Sequence, residues 1–205
     1  MPSSLADQII AAKINEWEKK RKDAKDSKKN KEIETHPFLT ISRDFGCGEE
    51  DILPKLEKDL KWKVYGRNLL DRLAQRENLS RSFMETLDEH KQGLLDNWIN
   101  YLTRSGAILQ DEQVVKISKM MKVIVSHESA IILGRGANYV LNDKKEGLNV
   151  KLTAPFDFRV ENIMRLRNLT KAKAQKLVRE TDKDRNEYIQ SNFTFDREKR
   201  VAVPF

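Results

Sequence analysis

Cysteine is almost missing from this chain. Cys47 is the only one in 205 residues, so a disulfide scaffold is excluded. Long apolar runs are missing too. Nothing approaches the ~20 consecutive apolar residues that a spanning helix needs, and stretches such as Ala130 to Leu133 are strand-sized. The opening MPSSLADQII has no basic segment followed by an apolar one, so it does not read as a secretory signal. Histidine is scarce: His36, His90 and His127 are scattered without metal-ligand spacing, and no protein-held metal site is expected. No Ser-His-Asp or Cys-His arrangement is readable. The expected setting is reducing and cytoplasmic, with no membrane partner.

Charge, by contrast, is plentiful. Charged residues make up 35% of the chain and its formal net charge is +7, against a usual charged share of about a quarter. The excess is uneven: residues 1–36 carry +2, residues 37–150 carry 0, and residues 151–205 carry +5. Clustered Arg and Lys in the last quarter suit nucleic acid, a membrane surface or the phosphates of a small ligand. The plain alternative for any one of these charges is a solvated helix face.

Hydrophobic spacing organises the rest. Residues 5–34 read as one helix with an apolar stripe of Leu5, Ile9, Ile10, Ile14 and Trp17, expected to pack on the body, on a second copy or on another partner. Beyond Trp17 the segment is a solvated helix or charged linker, and Pro37 closes it. The β-branched and aromatic runs Phe38 to Ser42 and Trp62 to Tyr65, the unbroken Ala130 to Leu133, and the alternating Leu148 to Ala154 read as strands. Helices fill the intervals: one through Ile52 to Leu60 with Pro54 in its first turn, one at Leu69 to Ala74, one capped by Ser80, one at Leu94 to Leu102, and one from about Asp111 to Glu128. Pro155 opens another, and Thr170 caps the last. Strands alternating with helices imply an α/β fold with a parallel sheet. Ligands then bind beyond the C-terminal strand ends.

Two such ends carry unusual loops. Arg43-Asp44-Phe45-Gly46-Cys47-Gly48 follows the first strand and precedes a helix, the layout in which glycines turn backbone N–H groups toward a phosphate. Glu49 and Asp51 stand where a full phosphate-loop signature has its lysine and its magnesium-binding hydroxyl. Arg43 offers the missing positive charge, and a plain tight turn is the competing reading. Gly134-Arg135-Gly136-Ala137-Asn138 follows the third strand and would hold a guanidinium at the sheet edge, suited to gripping phosphate in a fork. Arg159, Arg165, Arg167, Arg179 and Arg185 lie on two consecutive helices that form a hairpin able to close over phosphates, with Asp182 and Asp184 placed to orient them, to bind the substrate or to sit near metal. Cys47 is a small loop residue at a serine-type position.

The order of these motifs resembles the cytidylate-kinase-like family of nucleoside monophosphate kinases. The residues that carry the resemblance are ISRDFGCG, WKVYGRNLLDRLA, AIILGRGANYVL and VKLTAPFDFRVENIMRLRNLTKAKAQKLVRETDKDR, across roughly residues 36–190. It implies a three-layer P-loop kinase fold with a helical lid near 156–190. That domain would span 36–205, after an N-terminal helix and linker at 1–35. It also implies ATP with Mg²⁺ as donor, and CMP or a related monophosphate as acceptor. By position, Arg43, Gly46, Cys47 and Gly48 would hold donor phosphates, with Asp51 on the cofactor side at the magnesium-binding position, and Arg67, Arg135 and Asp184 would bind the acceptor. Arg43, Arg165, Arg167 and Arg185 would carry the catalytic charge. The chain departs from the family pattern at Glu49-Glu50, where glycine and a basic residue are usual, and at Gly66, where aspartate is usual. The family continues into a further strand and helix after the lid; either Val201-Ala202-Val203 begins that strand in a truncated chain, or the element is absent. Alternatives to a kinase are a weak or inactive nucleotide-binding regulator, motivated by those departures, and a nucleic-acid-binding protein. The latter ranks last, because residues 159–187 lack interleaved aromatics for base stacking.

Overall fold

The computed structural model describes residues 5–23, 34–109, 111–142 and 146–193. The linker 24–33 and the Val201-Ala202-Val203 segment lie outside them. Helix α1 (Leu5–Asp23) is followed by strand β1 (Phe38–Arg43), α2 (Glu49–Leu60), β2 (Lys63–Tyr65) and four helices. These are α3 (Arg67–Gln75), α4 (Glu77–Glu85), α5 (Glu89–Arg104) and α6 (Glu112–His127). Then come β3 (Ala130–Leu133), α7 (Ala137–Val140), β4 (Gly147–Leu152), α8 (Phe156–Arg167) and α9 (Lys171–Asn192).

The sheet is parallel throughout, in the order β2-β3-β1-β4. Both faces are covered, as a parallel sheet requires. On one face Phe38, Ala130 and Ile132 join the main core with α1 and α3 to α7. On the other, Leu39, Ile41, Ile131 and Leu133 pack with Leu53, Leu56 and Trp62 from α2 and its end. Alternation along β1 and β3 thus feeds two cores, which is why β3 reads as a continuous apolar run. Burying each such side chain contributes about 1.5–3 kcal/mol before entropy is counted. The arrangement is an α/β layout with a four-stranded parallel sheet, consistent with a P-loop kinase-like fold. A third cluster, Phe45, Val160, Ile163, Ala174 and Val178, binds the α8–α9 hairpin to the loop after β1.

The apolar stripe of α1 faces this chain's own body. Ile10, Ile14 and Trp17 are buried, one helical turn apart, with α1 lying against α3 and α4. Buried Asp7 meets Arg72 and Arg76 at 3.1 Å each, and Lys13 meets Glu128 at 2.6 Å. The Trp17 ring stacks on His127 at 4.5 Å and 14°. Burial pushes the His127 pKa down to about 4, so its neutral face meets the indole. Its Nε2 lies 2.9 Å from Thr86 Oγ1, which donates its own hydrogen to the Phe83 carbonyl, so Nε2 carries the ring proton.

Local differences from the sequence expectation have simple causes. Helix α4 begins at Glu77, so Ser80 is inside it rather than at its cap. Pro54 is the sixth residue of α2, beyond its first turn. Thr170 sits at the cap position of α9 without a side-chain cap bond. Asp88 and Asp111 do cap, accepting from the N–H groups of Lys91 at 2.8 Å and Val114 at 2.9 Å. The short α7 was not anticipated; four residues give no period to read.

Candidate functional site

Strands β1 and β3 are neighbours, but the chain leaves them in opposite directions. From β1 it passes to β2 on one side, and from β3 to β4 on the other. Their C-terminal ends therefore flank a topological switch point, where α/β sheets hold ligands. The loop after β1 and the turn after β3 meet there. The Gly134 N–H donates to the Ile41 carbonyl at 2.9 Å. A Cβ on Gly134 would lie 2.5 Å from Arg43 Nη1.

Residues Gly46 and Gly48 adopt left-handed φ values of 82° and 94°. They bend the β1–α2 loop so tightly under the lid that a Cβ on Gly46 would lie 2.8 Å from the Arg159 carbonyl oxygen. The lid grips this loop through several groups. Asn162 Nδ2 donates to the Gly46 carbonyl at 3.1 Å, and Arg159 Nη1 donates to the Phe45 carbonyl at 3.3 Å. Arg185 Nη1 donates to the Arg43 carbonyl at 3.0 Å. In return the Phe45 N–H donates to Asp182 Oδ1 at 2.8 Å. Arg167 and Arg185 stand 5.6 and 5.3 Å from the Phe45 ring centroid.

A carboxylate opposes nearly every one of these guanidinium groups. Glu49 faces Arg43 at 3.5 Å and Arg185 at 3.8 Å. Asp182 pairs with Arg159, and exposed Asp51 lies 3.7 Å from Arg165. Arg43 is held below its ordinary guanidinium pKa, first by burial and then by the charge of Arg185. Cys47 is buried beside Glu49, which accepts from its thiol at 3.4 Å. Burial and then the Glu49 charge push that thiol up to about 11, so it is not an activated nucleophile.

The β3 turn is built differently. Gly134, Arg135 and Gly136 are three successive left-handed residues, with φ of 76°, 52° and 71°. Arg135 pairs closely with Asp71, and its guanidinium lies 4.7 Å from the Tyr188 ring centroid. Arg67 Nε approaches the same Asp71 oxygen at 3.5 Å. Two of the residues expected at the acceptor, Arg67 and Arg135, thus converge on one carboxylate. The third, Asp184, is exposed on α9, and it is Asp182 that contacts the β1–α2 loop. Asp71, Tyr188 and Asn162 were not singled out from sequence. Asp71 had a readable signal, lying one helical turn after Arg67; the other two had none.

The residue set fits phosphate. Glycines free the loop backbone, and Arg43 Nε and Arg135 Nε are buried without a hydrogen-bond partner among the described residues. It does not fit a protein-held metal. No group of three His, Cys, Asp or Glu side chains suited to a metal ion occurs among the described residues, and the Cys47 thiol stays protonated. No helix among them is long and apolar enough to cross a membrane.

The sequence pattern of the cytidylate kinase-like family matches residues 38–200. The chain belongs to that family. The match spans both arginine-bearing loops and the α8–α9 hairpin, and membership supports a nucleotide-kinase-like function. Among curated proteins none matches the chain. A crystal structure of an uncharacterized protein from Eubacterium ventriosum ATCC 27560 is similar, with a TM-score of 0.48 and 21% identity, over 79% of this chain and 83% of that one.

Proposed function

We propose that this family member is a nucleoside monophosphate kinase-like phosphotransferase that moves the γ-phosphoryl group of ATP to CMP or a related monophosphate. The observation that carries the reading is that the Arg43 guanidinium reaches the Gly134 position of the β3 turn at the switch point, under a lid whose Arg185 reaches the end of β1. Phosphoryl transfer asks a protein mainly for positioning and positive charge, and this edge supplies both. In this reading the backbone N–H groups of Gly46, Cys47 and Gly48, with Arg43, hold donor phosphates, and Asp51 orients Arg165. Arg67 and Arg135 hold the acceptor phosphate, with Asp184 at the lid side. Arg165, Arg167 and Arg185 close over the transferred group and exclude water. ATP supplies the transferable phosphoryl group. Mg²⁺ would be held by phosphate oxygens rather than by this chain.

Glu49 favours a second reading, a nucleotide-binding regulator with little or no turnover, because its carboxylate sits between the two arginines nearest the loop. An ADP-release assay with ATP across all common monophosphates, paired with calorimetry of ATP binding, separates the two. Turnover with one acceptor supports the kinase. Binding without turnover selects the regulator, and neither binding nor turnover overturns both.

A further inference from the structure

Glu49 is the first residue of α2, and only 8% of it is exposed. A carboxylate rarely lies so deep unless it is paired. Its partners are two like charges. Oε1 faces Arg43 Nε at 3.5 Å and Arg185 Nη2 at 3.8 Å, and Oε2 accepts from the Cys47 thiol. Neither ion pair reaches hydrogen-bond distance. Arg43 Nε is buried and makes no hydrogen bond at all among the described residues. The carboxylate is thus held by charge between two guanidinium groups rather than by a fitted bidentate contact. A phosphate oxygen in its place would meet the same two cations.

We propose that Glu49 is an internal substitute for a phosphoryl group. It neutralises Arg43 and Arg185 in the unliganded chain and competes with incoming polyphosphate for them. This rests on the nucleotide-kinase reading above and adds a determinant of affinity within that site. It accounts for two repelling arginines sharing a desolvated corner, one of them with its pKa pushed down by burial and by the other. It also makes binding selective: an anion must outcompete a tethered carboxylate, so a polyphosphate succeeds where a single weakly charged group fails. Once displaced, Glu49 still repels the ligand, which sets a ceiling on affinity.

The test is Glu49→Gln, which keeps shape and removes charge. It is read by calorimetry with ADP and with inorganic tripolyphosphate, and by thermal melting with and without each. The expected signs are opposite. The unliganded variant melts lower, because two cations lose their neutralising partner, while both probes bind about tenfold more tightly. A purely structural Glu49 gives lower melting with unchanged or weaker binding, and that outcome overturns the proposal. If Glu49→Gln alone fails to fold, the pair Arg185→Gln and Glu49→Gln/Arg185→Gln removes the repulsion; the tightening on losing Glu49 must then be smaller than with Arg185 present, and an equal or larger one is contrary. Glu49→Asp, which keeps the charge, must stay near the wild-type affinity. Tighter tripolyphosphate binding without binding or turnover of any nucleotide leaves the inference standing and removes the kinase reading. No binding of either probe by either protein removes both.

Discussion

Arg43 ends β1 and Arg135 follows β3 on the neighbouring strand, yet the two guanidinium groups are fixed by different means. Arg135 is set by its own backbone: three successive left-handed residues aim it at Asp71 and against the Tyr188 ring. The body of the protein surrounds it, since Phe193 fills the space where Gly136 lacks a Cβ. Arg43 is set by a loose charge balance with Glu49 and Arg185, and by a lid that reaches in from α8 and α9. Arg135 thus belongs to the body of the fold, and Arg43 to the contact between the β1–α2 loop and the α8–α9 hairpin. The phosphotransferase proposed above would use both: a fixed grip on one phosphate, and contacts on the other that can be exchanged as ligands enter and leave.

Four experiments sharpen or break this contrast. The largest effect is expected from Gly136→Ala. Its Cβ would lie 2.2 Å from the buried Phe193 ring at a φ of 71°. Left-handed strain and overpacking together cost about 3 kcal/mol, which lowers Tm by roughly 10 °C for a chain of this size. Asp71→Ala comes next. It leaves Arg135 partly buried beside no carboxylate, and denaturant unfolding is expected to report a loss of about 2–3 kcal/mol. Gly46→Ala is smaller globally and different in kind. The new methyl collides with the Arg159 carbonyl at 2.8 Å, so the lid lifts. Hydrogen exchange should rise through α8 and α9 while β1 and β3 stay protected. Equal loss of protection across the sheet would contradict the contrast.

The smallest effect concerns Cys47. With its pKa near 11, the folded thiol keeps its proton at pH 8 and alkylates slowly with iodoacetamide; Gly46→Ala should speed that reaction. The sign for stability follows from proton counts. Between the ordinary thiol value of 9 and about 11, the unfolded chain has released a proton that the folded chain retains. Stability therefore falls as pH rises through that window. Cys47→Ser should make this slope shallower, the remainder coming from Tyr65 and Tyr188, whose hydroxyls burial also pushes up; an unchanged slope would place the thiol's titration elsewhere.

Most of the frame was legible because it rests on local patterns. Four β-rich runs became four strands, and the helix expected from about Asp111 to Glu128 became α6. The lid hairpin was legible from Pro155 and Thr170, and the φ of 51° at Asn168 marks the turn between its helices. What could not be read was pairing across the fold. Nothing local says that Asp182 rather than Asp184 accepts from Phe45, or that Asn162 reaches the Gly46 carbonyl. Nor did the stripe on α1 disclose its partner. The same Ile10, Ile14 and Trp17 would suit a second copy, and the ring of His127, more than a hundred residues away, decided the matter. The positions of Arg43, Gly46 and Gly48 were legible; of the carboxylates balancing the arginines, Glu49 was legible as a departure from a family pattern and Asp182 as a candidate to orient the hairpin's arginines, while Asp71 was not singled out.

The strand order has a further consequence, for synthesis on the ribosome. β1 lies inside the sheet, yet both its partners, β3 and β4, come late in the chain. At about 5–20 residues per second, roughly 5–20 s separate the emergence of Phe38–Arg43 from that of β3. During that interval an apolar strand has no edge to join, while α3 to α6 can already form their local contacts. A helical intermediate carrying an unpaired β1 is thus the species most exposed to aggregation and to chaperone capture, and strand pairing, not helix formation, should set the pace of folding.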